Sequence, residues 1–78
     1  MTLGHTLADM RADLDLSQPN LAERVEALGG PVLTQWRISR IEGGSTPRPG
    51  ELEAILRALE VPTKDWPAIM QLPLRRAS

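Results

Sequence analysis

Residues 34–42 of this chain, TQWRISRIE, set long hydrogen-bonding side chains on what reads as a short helix. Gln35 offers an amide fork, and Arg37 and Arg40 offer guanidinium groups one helical turn apart. Such groups pair with base edges in a major groove or with phosphate oxygens. Thr34 is suited to cap the helix N-terminus. Ile38 and Ile41 form an i, i+3 apolar pair, so two isoleucines fasten the helix and the rest of its circumference faces outward. The remaining large residue, Trp36, has the chemistry to stack on a sugar, meet a thymine methyl, pack on another protein, or turn into the core.

Other chemistries have little support. The carboxylates are scattered over helix surfaces, and the single histidine, His5, has no partners with which to build a metal site and reads as exposed. Ser17 and Ser39 have structural explanations, as a cap and as a helix residue. No glycine-rich phosphate loop follows a strand. The expectation is a non-enzymatic protein with no catalytic residue, cofactor or metal.

The elements that would hold residues 34–42 are legible from apolar spacing. Leu3, Leu7, Met10 and Leu14 make one helical stripe and predict a first helix over about 3–15. Ser17 caps a second, with Pro19 tolerated in its first turn. Leu21, Ala22, Val25 and Leu28 form its apolar stripe, and Gly29-Gly30-Pro31 ends it, giving about 18–28. One of Val32 and Leu33 should tuck beneath the third helix, 35–42, which closes at Gly43-Gly44. The proline-stiffened loop 45–50 leads to a fourth helix, about 50–60, with Leu52, Ile55, Leu56 and Leu59 inward. A short fifth helix follows Asp65 as its cap, carries Pro67 in its first turn and Ile69, Met70 and Leu72 as apolar residues, and stops at Pro73. Trp66 reads as core in preference to a dimer seam. No strand signal occurs. The domain is expected over 1–73 and a frayed tail over 74–78, where Arg75 and Arg76 are expected to touch nothing.

Composition sets the bounds. Seventy-eight residues, 41% hydrophobic and 24% charged, suit one small soluble domain with a single core. Without cysteine there is no disulfide framework, and a reducing cytoplasm is expected. No apolar run approaches the roughly 18 residues of a membrane span. The net charge of −1 is low for a nucleic-acid binder, but its distribution is uneven. Residues 1–34 carry five acids against two bases, and residues 35–50 carry three arginines against Glu42. The local positive excess therefore lies on and just after the third helix.

The segments Ser17-Gln18, Leu21-Ala22, Ile38-Ser39-Arg40-Ile41-Glu42-Gly43-Gly44 and the stripe Leu52 to Leu59 together resemble the Cro/C1-type (XRE-type) helix-turn-helix family, over about residues 3–66. That resemblance implies an all-α, five-helix bundle of the lambda-repressor-like type, binding double-stranded DNA, usually as a homodimer on a palindrome. It implies phosphate contact by Gln18 and Arg48, and base or flanking-phosphate contact by Gln35, Trp36, Arg37 and Arg40. It also implies a buried ion pair between Arg11 and Glu42. Two features depart from the family pattern: Leu21 and Ile38 lie farther apart than usual, with the surplus in residues 26–33, and Trp36 stands where a small or polar residue is general.

The expectation is thus a sequence-specific transcriptional regulator, a repressor or an autoregulator, that inserts its third helix in the major groove. Its dimer surface would come from apolar residues of the fourth and fifth helices. The alternative, from a different class, is a protein-interaction module on the same scaffold, anchored by Trp36 and Trp66.

Overall fold

Four of the five helices end in the same way, and those ends set the angles of the bundle. The computed structural model describes residues 1–74 as helices α1 (Leu3–Asp13), α2 (Gln18–Ala27), α3 (Gln35–Glu42), α4 (Pro49–Ala58) and α5 (Trp66–Met70). A single 3₁₀ turn, Thr63–Asp65, leads into α5, and no strand occurs among the described residues. The fold class is the expected one, an all-α five-helix bundle.

Side-chain caps start the first three helices. Thr2 Oγ1 accepts from the His5 N–H, Ser17 Oγ from the Asn20 N–H, and Thr34 Oγ1 from the Arg37 N–H. Asp65, expected to cap α5, makes no such bond, because the preceding 3₁₀ turn already carries the chain into the helix. At the other ends, α1 to α4 each close with a paired 6→1 and 5→2 hydrogen bond around a left-handed residue. That residue is Asp15, Gly29, Glu60 or Gly44, with Leu16 N–H donating to Arg11 O, Gly30 to Val25, Val61 to Leu56 and Ser45 to Arg40. The reversal accounts for the differences from the expected ends. Asp15 and Glu60 lie outside their helices, and Leu28 is the C-cap of α2 with its side chain exposed, 60%, where its place in the apolar stripe predicted burial.

The core is continuous. Leu3 and Leu7 of α1, Leu21 and Val25 of α2, Ile38 and Ile41 of α3, five residues of α4 and Ile69 of α5 all belong to it, with Leu59 beyond the end of α4. Of the two candidates in the turn, Leu33 is the one inside, 7% exposed, whereas Val32 is 75% exposed. Helix α4 packs on α2, and α3 packs on both α1 and α2. The leucine, isoleucine and alanine side chains of α4 are all buried, which corrects the expectation that apolar residues of α4 supply a dimer surface. In α5, Met70 is left partly exposed.

The end of the described chain returns to its start. Leu3 N–H donates to Pro73 O at 2.8 Å. Leu74, placed with the tail on sequence grounds, is half-buried against the core. Arg75 and Arg76 lie outside the described residues. Trp66 is half-buried too, with Nε1 donating to Val61 O at 3.0 Å and the Arg57 guanidinium 5.3 Å from its ring centre. No described helix is long and apolar enough to cross a membrane.

Candidate nucleic-acid interface

Helix α3 is held by two buried isoleucines, each worth about 2 kcal/mol of burial, so the direction they point fixes where every other side chain goes. At about 100° per residue, Trp36 projects almost directly away from the Ile38–Ile41 edge, and Arg40 lies about 40° round the helix from it. Gln35, Ser39 and Glu42 lie along one flank, toward α1 and α2, and Arg37 lies on the other, toward α4. Each flank is fastened by a carboxylate.

On the first flank, Glu42 accepts from Arg11 of α1 through both oxygens, Nε to Oε2 at 2.7 Å and Nη2 to Oε1 at 3.0 Å. Both side chains are largely buried. Arg11 also donates from Nη1 to Leu16 O at 2.7 Å, and Gln18 Nε2 donates to Glu42 Oε1 at 3.1 Å. Hydrogen bonding to Glu42 outweighs the cost of burial and holds the Arg11 pKa above its usual value. One bidentate pair thereby joins α1, the end of α1's turn, the start of α2 and the end of α3. Its leading energetic consequence is that removing one partner strands the other, which costs more than the pair contributes while whole.

On the second flank, Arg37 Nε donates to Glu51 Oε2 at 2.9 Å and Nη2 to Glu51 Oε1 at 2.7 Å and to Thr46 O at 3.1 Å. Glu51 accepts in addition from the Arg48 backbone N–H at 2.8 Å, which caps the start of α4. The Arg37 hydrogen bonds outweigh the cost of burial and hold the Glu51 carboxyl down to about 2. Arg37 was expected on the outward face beside Arg40. It is turned aside because Glu51 stands opposite its flank, and its guanidinium is occupied in tying α3 to α4.

What remains outward is Gln35, Trp36, Ser39 and Arg40, all exposed. Trp36 is 79% exposed, which removes the core reading of this residue. Gln18, Gln35, Trp36 and Ser39 line one shallow depression between the starts of α2 and α3. Arg48 is exposed at the N-cap of α4, and among the described residues neither it nor Arg40 has an ion pair. The backbone adds little at α2, where Pro19 has no N–H and that of Asn20 is taken by Ser17, leaving Gln18's in the first turn. At α3 the N–H groups of Gln35 and Trp36 precede the one bound by Thr34.

The sequence profile of the helix-turn-helix domain family matches residues 2–66. The chain belongs to that family. Comparisons with curated proteins and with solved structures gave no match. In this helix-turn-helix domain the seven residues 28–34 connect α2 to α3, and the outward face of α3 is the surface that the fold leaves uncommitted.

Two residues that sequence reasoning passed over matter to this face. A Cβ at Gly4 would fall on the Ile41 and Glu42 carbonyl oxygens, so α1 and the last turn of α3 touch backbone to backbone there. Its signal was a glycine inside a helical pattern, which is costly unless something needs the space. Glu51 signalled itself as an acid at the third position of a helix after its cap.

Proposed function

We propose that this helix-turn-helix domain is the sequence-specific DNA-binding unit, residues 1–73, of a cytoplasmic transcriptional regulator of Cro/C1 (XRE) type, a repressor or autoregulator. In this reading α3 lies in the major groove, Gln35, Trp36 and Arg40 meet base edges, and Gln18 and Arg48 fix the backbone on either side. Arg37 positions α3 and reads nothing. The long α2–α3 connection is a variant of the family's turn.

One observation carries the reading. Both carboxylates beside the face, Glu42 and Glu51, are neutralised by arginines that point inward, Arg11 and Arg37. Arg40 then has no ion pair among the described residues, and Arg48 feels the charge of Glu51 without forming a salt bridge to it, so a chain of net charge −1 still offers a polyanion a positive edge. A few base contacts per monomer call for two half-sites about one helical turn apart, bound by two copies. With α4 buried, that pairing rests on α5 and on the DNA itself.

A second reading, a protein-interaction module, is favoured by the exposure of Trp36, since large exposed aromatics anchor partners. Selection from a randomised duplex library at near-physiological salt separates the two. The proposal expects a palindrome favoured at least about a thousandfold over random DNA, with enrichment lost in Arg40→Ala. Binding that is weak, unselective and abolished by salt in both proteins would refute it.

A further inference from the structure

The depression between α2 and α3 has a composition of its own. Its walls are two carboxamides, a hydroxyl and an indole, and no charged side chain lines it. A phosphate or an acidic peptide would find no charge there. The Gln18 amide is anchored through Nε2 to Glu42, whereas the Gln35 amide makes no hydrogen bond among the described residues and is available to a ligand. Beside it the Trp36 ring, exposed on the most outward line of α3, offers flat apolar surface and one N–H donor.

An amide fork beside an apolar wall matches one base pair better than the others. Glutamine pairs with adenine through N6 and N7, and apolar groups meet the thymine C5 methyl, the two adjacent in the major groove. Guanine would call for a guanidinium at this place, and the arginine of this face, Arg40, is not among the lining residues. Cytosine would call for a carboxylate, and Glu42 is turned inward.

We propose that Trp36 is a specificity-determining residue that covers the C5 methyl of a thymine while Gln35 takes the paired adenine, so that the depression selects an A·T pair through thymine's methyl group. This rests on α3 entering a DNA groove, and it adds which base is read and by which atom.

The test replaces each thymine of the selected duplex in turn by deoxyuridine, which deletes the methyl and nothing else, and measures affinity by competition. One position per half-site is expected to weaken about fourfold, the effect of uncovering one buried methyl. At that position the thymine-to-uridine ratio should fall to about one in Trp36→Ala. The exposed ring makes no core contact, so this variant should keep the wild-type circular dichroism and melting temperature. If no uridine substitution weakens the wild-type protein while the site still outcompetes random DNA, the methyl contact is refuted and the DNA-binding reading stands. A loss as large in Trp36→Ala as in wild type refutes the role of Trp36. If no duplex is selected at all, both readings fall together.

Discussion

Arg37 and Arg40 are the same residue type three positions apart on one short helix, and the fold gives them opposite work. Their difference is about 60° of helix rotation, enough to put Arg37 in reach of Glu51 and leave Arg40 outward. Nothing within residues 34–42 distinguishes them. The deciding partner lies fourteen residues on, at the start of α4. Because the Glu51 carboxyl is held down to about 2 against an ordinary 4.5, it stabilises the folded state above the ordinary value, and that stability is lost as pH falls toward 2. The shift corresponds to about 2 to 3 kcal/mol after allowance for the partly exposed Arg37 side chain. Urea titrations between pH 7 and pH 2.5 should therefore show wild-type stability dropping steeply below pH 4.5. Glu51→Gln should be weaker at pH 7 by about 2 kcal/mol and should fall less steeply, the two curves converging in acid.

At the scale of elements, periodicity and caps made the five helices legible, and their C-terminal ends were less so. Glycine signals a left-handed residue, and Gly29 and Gly44 were readable on that account. Asp15 and Glu60 do the same work without the signal, so the first and fourth helices read as longer than they are. The same two residues carry strain of about 1 kcal/mol each. Glu60→Gly should raise stability by up to about 1 kcal/mol, since Glu60's ion pair with Arg24, 3.9 Å apart and exposed, contributes little. Thermal unfolding with a melting temperature several degrees higher would bear this out. Gly4 tests the contact between α1 and α3 in the opposite direction. Alanine would gain about 1 kcal/mol of helix propensity, yet its Cβ meets backbone carbonyls that cannot turn away, at a cost of about 3 kcal/mol. The net expectation for Gly4→Ala is a loss of about 2 kcal/mol, read as a melting temperature lower by roughly 10 °C.

For the molecule as a whole, what could not be read from the chain is where its charges go. A net charge of −1 and an acidic first half say little about a polyanion partner until the pairings are known. Arg11 with Glu42 and Arg37 with Glu51 remove two acids and two bases from the surface account while binding α3 on both flanks. The family resemblance named the first pair, but the second needed the path of the chain from α3 through Pro47, which is buried, to α4. This division between inward and outward arginines predicts that three alanine variants separate cleanly on a plot of log affinity against log salt. Arg40→Ala and Arg48→Ala should each weaken DNA binding while leaving the melting temperature unchanged, because both side chains are exposed and unpaired among the described residues. Arg48→Ala, as a phosphate contact, should lower the salt slope by about 1, whereas Arg40→Ala should also relax discrimination at one base. Arg37→Ala should leave the slope as it is and lose about 2 kcal/mol of stability, since it strands Glu51 between α3 and α4. A slope reduced by Arg37→Ala in a fully folded protein would mean that the guanidinium leaves Glu51 for phosphate on binding, and the structural role argued for it would be wrong.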